Sequence, residues 1–201
     1  MHIDIESVKE FYHDYEDHKI EMLAKHESRT LMPEVIPILI DEIKKRNLGE
    51  GLCEFVEANS RVLLPNEKAV LKSKITSLAC PNCTEENREL IGSYLRSVKS
   101  YVLFTSVEKK AVIGCVNCNN GKIRDANLMT FVAGWWSIHG MFRTPITLVN
   151  SFLDKKKMER ISDTIVDEFI DNNQGGVLLN LENPPVLQNL LFAFNTAEAG
   201  T

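Results

Sequence analysis

The feature that most constrains the fold of this chain is a set of four cysteines arranged in two C-x-x-C pairs. Cys80 and Cys83 form the first pair, Cys115 and Cys118 form the second, and 31 residues lie between the two pairs. A C-x-x-C turn aims two thiolates at one metal ion, and two such turns supply the four ligands of a tetrahedral site. The spacing therefore predicts a zinc ribbon, in which one metal ion joins two segments that are distant in sequence.

The predicted metal is Zn²⁺, with iron in the same four-sulfur site as the alternative, because the same ligands bind both. Four protein thiolates leave no coordination position for water, so the site is expected to be structural and not catalytic. The competing interpretations are two unrelated pairs, labile disulfides or a thioredoxin-like redox motif. The redox motif requires a C-x-x-C at the start of a helix, and neither pair precedes an obvious helix in the sequence.

Composition and cysteine usage favour a cytoplasmic protein with reduced thiols. The chain has 201 residues and five cysteines, an odd count that does not suit a secreted disulfide framework. The fifth, Cys53, lies among apolar residues and is expected to be a small buried side chain. The first residues are acidic and lack the basic start and apolar run of a signal peptide.

The charge is unevenly distributed along the chain. The net charge is −5, yet residues 61–124 hold 11 Lys and Arg against 5 Asp and Glu, whereas residues 1–60 hold 7 against 14. Nucleic-acid binding through the basic middle segment is therefore an alternative, although dense arginine clustering is lacking. Phosphate loops, dinucleotide-binding fingerprints, nucleophile elbows and H-E-x-x-H motifs are all absent from the sequence. The sequence thus leans away from an enzyme and indicates no catalytic residue.

Apolar periodicity predicts helices on both sides of the cysteine region. The expected N-terminal helices run over 6–25, from about Pro33 to Gly49, over 51–59 and over 66–77, and the C-terminal ones run over 158–171 and from Pro184 onward. Between the cysteine pairs, the β-branched and aromatic runs 101–105 and 111–113 predict a hairpin that turns at 108–110, with a third strand at 89–98. Asn119, Asn120 and Gly121 predict a turn that offers N–H groups to sulfur.

The apolar segment 126–153 is the second informative feature, because Arg143 is its one formally charged residue and it contains both tryptophans, Trp135 and Trp136. Three interpretations stay open. The segment forms a buried helix pair broken near Gly140, an interfacial or re-entrant hairpin at a membrane surface, or an exposed surface that binds a partner. Trp135, Trp136, Phe142 and Arg143 are the candidate interaction residues in the last two cases.

The residues from the second cysteine pair onward resemble a known group of sequences. Cys115-Val116-Asn117-Cys118 is followed by Gly134-Trp135-Trp136-Ser137-Ile138 and then by Thr144-Pro145. This order is similar to that of a group of uncharacterised bacterial zinc-ribbon proteins, over about residues 80–153. Where such proteins tend to have a proline after the isoleucine, this chain has His139. The resemblance implies a zinc site, and it implies no activity and no catalytic residue.

Taken together, these features predict an α+β, mainly α fold, in which helical N- and C-terminal parts surround a zinc-ribbon β-hairpin. The expected regions are 1–78 (helical), 79–124 (zinc ribbon) and 125–201 (the Trp-containing apolar segment and C-terminal helices). The predicted function is that of a zinc-stabilised, non-catalytic interaction or scaffold protein with an unknown protein partner. Self-association, peripheral membrane contact and nucleic-acid binding are the alternatives.

Overall fold

The structure is a computed structural model that describes residues 4–85, 88–100, 105–133 and 138–197. Its regular elements, in chain order, are α1 (Ile5–His13), α2 (Asp17–Met22), a π-helical segment (Leu23–Glu27), α3 (Ile36–Lys45), α4 (Glu50–Ser60), α5 (Pro65–Thr76), β1 (Leu90–Ser100), β2 (Thr105–Cys115), α6 (Val116–Ala133), α7 (Ile138–Lys156), α8 (Met158–Asn172), α9 (Gln174–Leu179) and α10 (Pro184–Thr196). The predicted α+β, mainly α class is confirmed.

The chain divides into two compact units. The first comprises Met1–Pro65 and Asn173–Asn183, and the second comprises Asn66–Asn172 and Pro184–Thr201. All four paired cysteines belong to the second unit. The three regions expected from the sequence, 1–78, 79–124 and 125–201, stay a prediction.

In the first unit, the predicted helix over 6–25 is interrupted. α1 ends at His13 and α2 begins at Asp17, and the break lies against the guanidinium group of Arg46. The N–H groups of Arg46 make five hydrogen bonds, to the carbonyl oxygens of Tyr12, His13 and Tyr15 and to the carboxylates of Asp17 and Glu42. The last carbonyls of a helix lack partners within it, so this distant arginine stabilises an end that local periodicity does not indicate.

α4 and α9 pack closely in the first unit because of two adjacent residues of α9. The Gln174 amide donates hydrogen bonds to the carbonyl oxygens of Ala58, Asn59 and Arg61 at the end of α4. A Cβ atom on Gly175 would lie 2.8 Å from the Phe55 ring, so glycine permits the approach. The preceding helix, α8, ends at Asn172, and Gly175 lies inside α9.

In the second unit, the predicted hairpin forms with different strands. β1 and β2 pair antiparallel along their whole lengths, from Leu90 opposite Cys115 to Ser100 opposite Thr105. Residues 108–110, the expected turn, lie inside β2, and the expected third strand at 89–98 is β1 itself. Within the described part of the chain the sheet has two strands. Lysines and a glutamate in the middle of a strand resemble a turn in sequence, but alternate side chains of a half-exposed strand tolerate charge.

Helices cover both outer edges of this two-stranded sheet. On β1, the backbone N–H groups of Gly92 and Val98 donate to the hydroxyls of Ser162 in α8 and Thr130 in α6, at 2.9 and 3.0 Å. On β2, Asn195 of α10 bonds the backbone of one strand residue. An exposed strand edge is a template for unwanted pairing, so these side chains satisfy the edge groups that a hairpin alone would leave open.

The apolar segment 126–153 forms the second half of α6 and most of α7. The hypothesis of a buried helix pair is wrong for most of the large side chains that the structure describes in this segment, since Phe142 is 68% exposed and Phe131 is 60% exposed. Gly140, the expected break, lies within α7. The helices expected over 51–59, 66–77 and 158–171 are present as α4, α5 and α8, with ends within two residues of the predicted ones, and α10 begins at Pro184 as predicted.

Candidate metal centre

The first cysteine pair lies in a tight turn that follows α5. The turn closes through a hydrogen bond from the Thr84 N–H to the Cys80 carbonyl at 2.8 Å and through one from the Cys80 N–H to the Glu85 carbonyl at 3.2 Å. Thr84 has a left-handed φ of 54°, a conformation that lets the chain reverse in few residues. The turn leaves Cys80 buried and Cys83 half-buried, so both sulfurs are held on its inner side.

The second pair lies at a strand-to-helix junction. Cys115 is the last residue of β2, and Cys118 lies in the first turn of α6, which begins at Val116. This corrects two sequence expectations. The second C-x-x-C does open a helix, and Asn119–Gly121 are helical residues, not a turn. A helix start preceded by a strand places two cysteines three residues apart on the same side of the backbone.

The four sulfurs form one compact cluster. The Sγ atoms of Cys80, Cys83, Cys115 and Cys118 all lie within 4.8 Å of one another. The Cys83 and Cys115 sulfurs are 3.8 Å apart, which is the edge of a tetrahedron with Zn–S bonds of ~2.3 Å. That separation is well beyond the ~2.05 Å of a disulfide bond. The donor set and the spacing both fit a tetrahedral metal ion, and the four cysteines can therefore hold one.

Hydrogen bonds to sulfur favour ionisation at one cysteine. Burial acts to raise the pKa of the Cys80 thiol, but hydrogen bonds from the backbone N–H groups of Cys115, Asn82 and Cys83 outweigh it and lower the pKa to about 6. The Cys115 N–H lies 3.3 Å from the Cys80 sulfur. An N–H donor of this kind stabilises the thiolate form that a metal requires.

The neighbouring sulfurs oppose ionisation at Cys118. Burial raises the pKa of its thiol to about 12, together with hydrogen bonding to the Cys83 and Cys115 thiols and the negative charge of Cys80 and Cys115. Four adjacent thiolates repel one another, and a divalent cation among them removes that repulsion. The cluster is therefore electrostatically suited to a cation.

Side-chain hydrogen bonds that the sequence did not predict connect the segments around the two pairs. Lys122 of α6 donates to the Asn82 side chain at 2.7 Å, which joins the first turn to the helix that carries Cys118. Asn119 donates to the Ile91 carbonyl and the Ser93 hydroxyl of β1. A pair of asparagines followed by glycine is typical of turns, and for this reason the sequence predicts a turn where the structure has a helix.

The other predicted site residues fall into two groups. Phe142 and Arg143 lie on α7 and are exposed, so they are available for contact. Trp135 and Trp136 lie outside the described residues. The fifth cysteine, Cys53, is 7% exposed in α4 of the first unit. It does not belong to the sulfur cluster, and its burial agrees with the sequence expectation.

Among the residues described, no helix combines the length and apolar character needed to cross a membrane. Searches of protein-family models, of curated proteins and of solved structures gave no match to this chain.

Proposed function

We propose that this protein is a zinc-stabilised, non-catalytic interaction or scaffold protein of the cytoplasm, with Zn²⁺ held by Cys80, Cys83, Cys115 and Cys118. The observation that carries the proposal is the convergence of four thiol sulfurs within 4.8 Å. With every ligand supplied by the chain, the coordination sphere is closed to water and substrate. Iron bound by the same four sulfurs is the alternative metal.

The position of the cluster supports a structural role. It connects the turn after α5 to the junction of β2 and α6, two segments that are separated by the whole hairpin. The described hairpin has only two strands, and a two-stranded hairpin is marginal in water by itself. A metal that clamps both ends of such a unit contributes its binding free energy to folding.

Nucleic-acid binding is less well supported by the side chains of the basic segment. Lys72 lies 2.9 Å from the Asp167 carboxylate, and Arg96 lies 2.7 Å from that of Asp154. Lys109 lies over the Tyr94 ring at 3.6 Å. Cations engaged in this way must exchange their partners before they can contact phosphates. We therefore retain protein interaction as the primary proposal.

The direct test is metal analysis of purified protein together with two single variants. Elemental analysis by mass spectrometry is expected to give one equivalent of zinc per chain for the wild type. Cys115→Ser is expected to lose the metal, because a serine oxygen is a poor replacement for a buried thiolate ligand. Cys53→Ser is the matched control, since Cys53 is also buried but lies outside the cluster, and it is expected to keep the full equivalent. Less than half an equivalent of zinc or iron in the wild type would contradict the proposal.

A further inference from the structure

α7 has its polar and apolar faces reversed relative to a helix packed on a core in water. The small hydroxyl residues Thr144, Thr147 and Ser151 are between 0 and 6% exposed, and their spacing of three and four residues places them on one face of the helix. α7 packs on β1, so its buried side is the polar one. An ordinary amphipathic helix turns its large apolar side chains toward the core instead.

The opposite face of α7 carries the large apolar side chains. They recur at intervals of four, three and four residues, which defines a single stripe along the helix. This stripe consists of Phe142, Ile146, Val149 and Leu153, with Phe152 at its border, and these side chains are between 43 and 68% exposed.

α6, which contacts α7, also exposes apolar side chains. Its second half exposes Leu128, Met129, Phe131 and Val132 by 52 to 62%, while Thr130 is fully buried. If each exposed side chain contributes ~100 Å², the five on α7 alone present on the order of 500 Å², which is toward the upper end of the about 300–600 Å² of the largest apolar patch on a typical monomer. We call the five side chains of α7 and the four of α6 the α6–α7 apolar surface. Patches of this size are often functional, so we expect another medium or molecule to cover this surface.

The charges beside this surface indicate which occupant it fits. Between residues 126 and 157 the formally charged residues are Arg143, Asp154 and Lys155–Lys157. Asp154 binds Arg96 at 2.7 Å, and Lys155 lies with Ser93 and Tyr94 on the side of α7 that faces β1. Glu108 of β2 is an acidic neighbour of Arg143. The cations that remain beside the stripe are Arg143, Lys156, which lies over the Phe152 ring at 5.4 Å, and Lys157, so the net charge offered to an occupant is positive. A second copy of this surface would bring like charges together. Anionic headgroups above an apolar layer complement both the cations and the apolar side chains.

We propose that the α6–α7 apolar surface binds the interface of an anionic lipid bilayer. The large apolar side chains enter the headgroup and upper acyl region, and Arg143, Lys156 and Lys157 contact lipid phosphates. Small hydroxyl residues on the protein-facing side of a helix and apolar ones on the outer side are the arrangement that helices adopt in lipid. This inference goes beyond the proposed zinc-stabilised function, because it concerns a surface distinct from the cysteine cluster and names its partner.

The test is co-sedimentation of the full-length, zinc-loaded protein with two kinds of vesicle. We expect binding to vesicles of phosphatidylcholine mixed with phosphatidylglycerol, and weaker binding to phosphatidylcholine alone. Binding is also expected to weaken with added salt, since salt screens the headgroup attraction. No binding to either vesicle would overturn the proposal, and zinc content measured on the same sample separates this failure from a failure of the metal site.

Matched variants connect the binding to the surface. The double change Phe142→Asp and Val149→Asp is expected to abolish sedimentation. The control is Val62→Asp with Val70→Asp, which adds the same charge at positions that are 86 and 67% exposed elsewhere, and it is expected to bind nearly as the wild type does. Equal loss in both double variants would contradict the assignment to α6–α7.

Two further measurements keep the proposal testable if the aspartate pair fails to fold. Changing Lys156 and Lys157 to glutamine is expected to weaken binding about fivefold for each lysine. An undiminished affinity would overturn the role given to the lysines. The second measurement is the oligomeric state in solution, determined by sedimentation equilibrium. A dimer that Phe142→Asp disrupts, in a wild-type protein that binds no vesicle, would assign this surface to a second copy of the chain.

Discussion

The side chain of Asn195 in α10 makes a paired hydrogen bond with the backbone of Ile113 in β2. The Ile113 N–H donates to Asn195 Oδ1 and the Asn195 Nδ2 donates to the Ile113 carbonyl, both at 2.7 Å. Ile113 lies two residues before the metal-site residue Cys115, and both Ile113 and Asn195 are buried. The Asn195 amide thus makes the two hydrogen bonds that a neighbouring strand would make, and it holds the edge of β2 next to the cysteine cluster.

Replacement of Asn195 by leucine is expected to lower the free energy of unfolding by about 2–4 kcal/mol, because a buried N–H and a buried carbonyl lose their partners together. Urea denaturation followed by circular dichroism measures the change. Asn189→Leu is the control, since Asn189 is an exposed residue of the same helix and its replacement should leave stability nearly unchanged. Similar stability in both variants would contradict the role assigned to Asn195.

Gly92 is predicted to be intolerant of a side chain. A Cβ atom there would lie 2.6 Å from Ile165 Cβ and 3.1 Å from the Ser162 carbonyl oxygen, so β1 and α8 would have to separate. Gly92→Ala should cost about 1–3 kcal/mol by overpacking. Gly121→Ala is the contrasting change, because a Cβ on this helical glycine meets nothing within 4 Å, and it should stabilise the protein by about 0.5–1 kcal/mol. Thermal and urea denaturation should give a lower free energy of unfolding for Gly92→Ala and a higher one for Gly121→Ala than for the wild type.

Removal of the metal is expected to destabilise the protein. A ligand present at about 1,000 times its dissociation constant contributes about 4 kcal/mol to folding, and a chelator removes that contribution. Differential scanning calorimetry with and without chelator measures the fall in Tm. The variant with both Cys83→Ser and Cys118→Ser should show a lower Tm that no longer responds to chelator. An unchanged wild-type Tm after verified metal loss would refute the structural role.

Glu42 gives the stability of the first unit a defined pH dependence. Burial acts to raise the pKa of its carboxyl, but the hydrogen bond and charge of Arg46 outweigh burial and, with Lys45 and His13, hold the pKa below its ordinary value of 4.5. A carboxyl with a lowered pKa stabilises the folded state above its unfolded pKa. That stabilisation is lost as the pH falls through the folded pKa.

Glu42→Gln is therefore expected to cost about 2–4 kcal/mol at neutral pH, where it leaves the largely buried Arg46 without its closest carboxylate. The cost should shrink as the pH falls through the lowered pKa of Glu42 in the folded protein, because wild-type Glu42 then becomes protonated as well. Urea denaturation across this pH range measures the difference. Asp41→Asn, at an exposed site on the same helix, should show no comparable effect, and a pH-independent cost for Glu42→Gln would exclude the ionic explanation.

The sequence determined the features that depend on short-range spacing. Two C-x-x-C pairs predict four sulfurs that converge, because a tight turn or a helix start brings residues three apart to one side. Apolar periodicity located α4, α5 and α8 to within two residues of their ends and the start of α10, since a helix that packs on a core must bury one face. The mainly α fold with one hairpin follows from the same local patterns.

Only the tertiary structure decided the features that depend on distant partners. Arg46, at the end of α3, binds the last carbonyl groups of α1. Asn195 of α10 and Ser162 of α8, which are distant in sequence from the hairpin, bind the backbone at the edges of β2 and β1. Local sequence patterns also did not reveal the length of the hairpin, the helix that begins at the second cysteine pair, or which face of α7 is exposed. The apolar content of a segment predicts that something covers its apolar side chains. Which face of a helix turns toward the protein depends instead on the elements that pack against it. For α7, the neighbour is β1, which contacts the hydroxyl face and leaves the apolar face exposed.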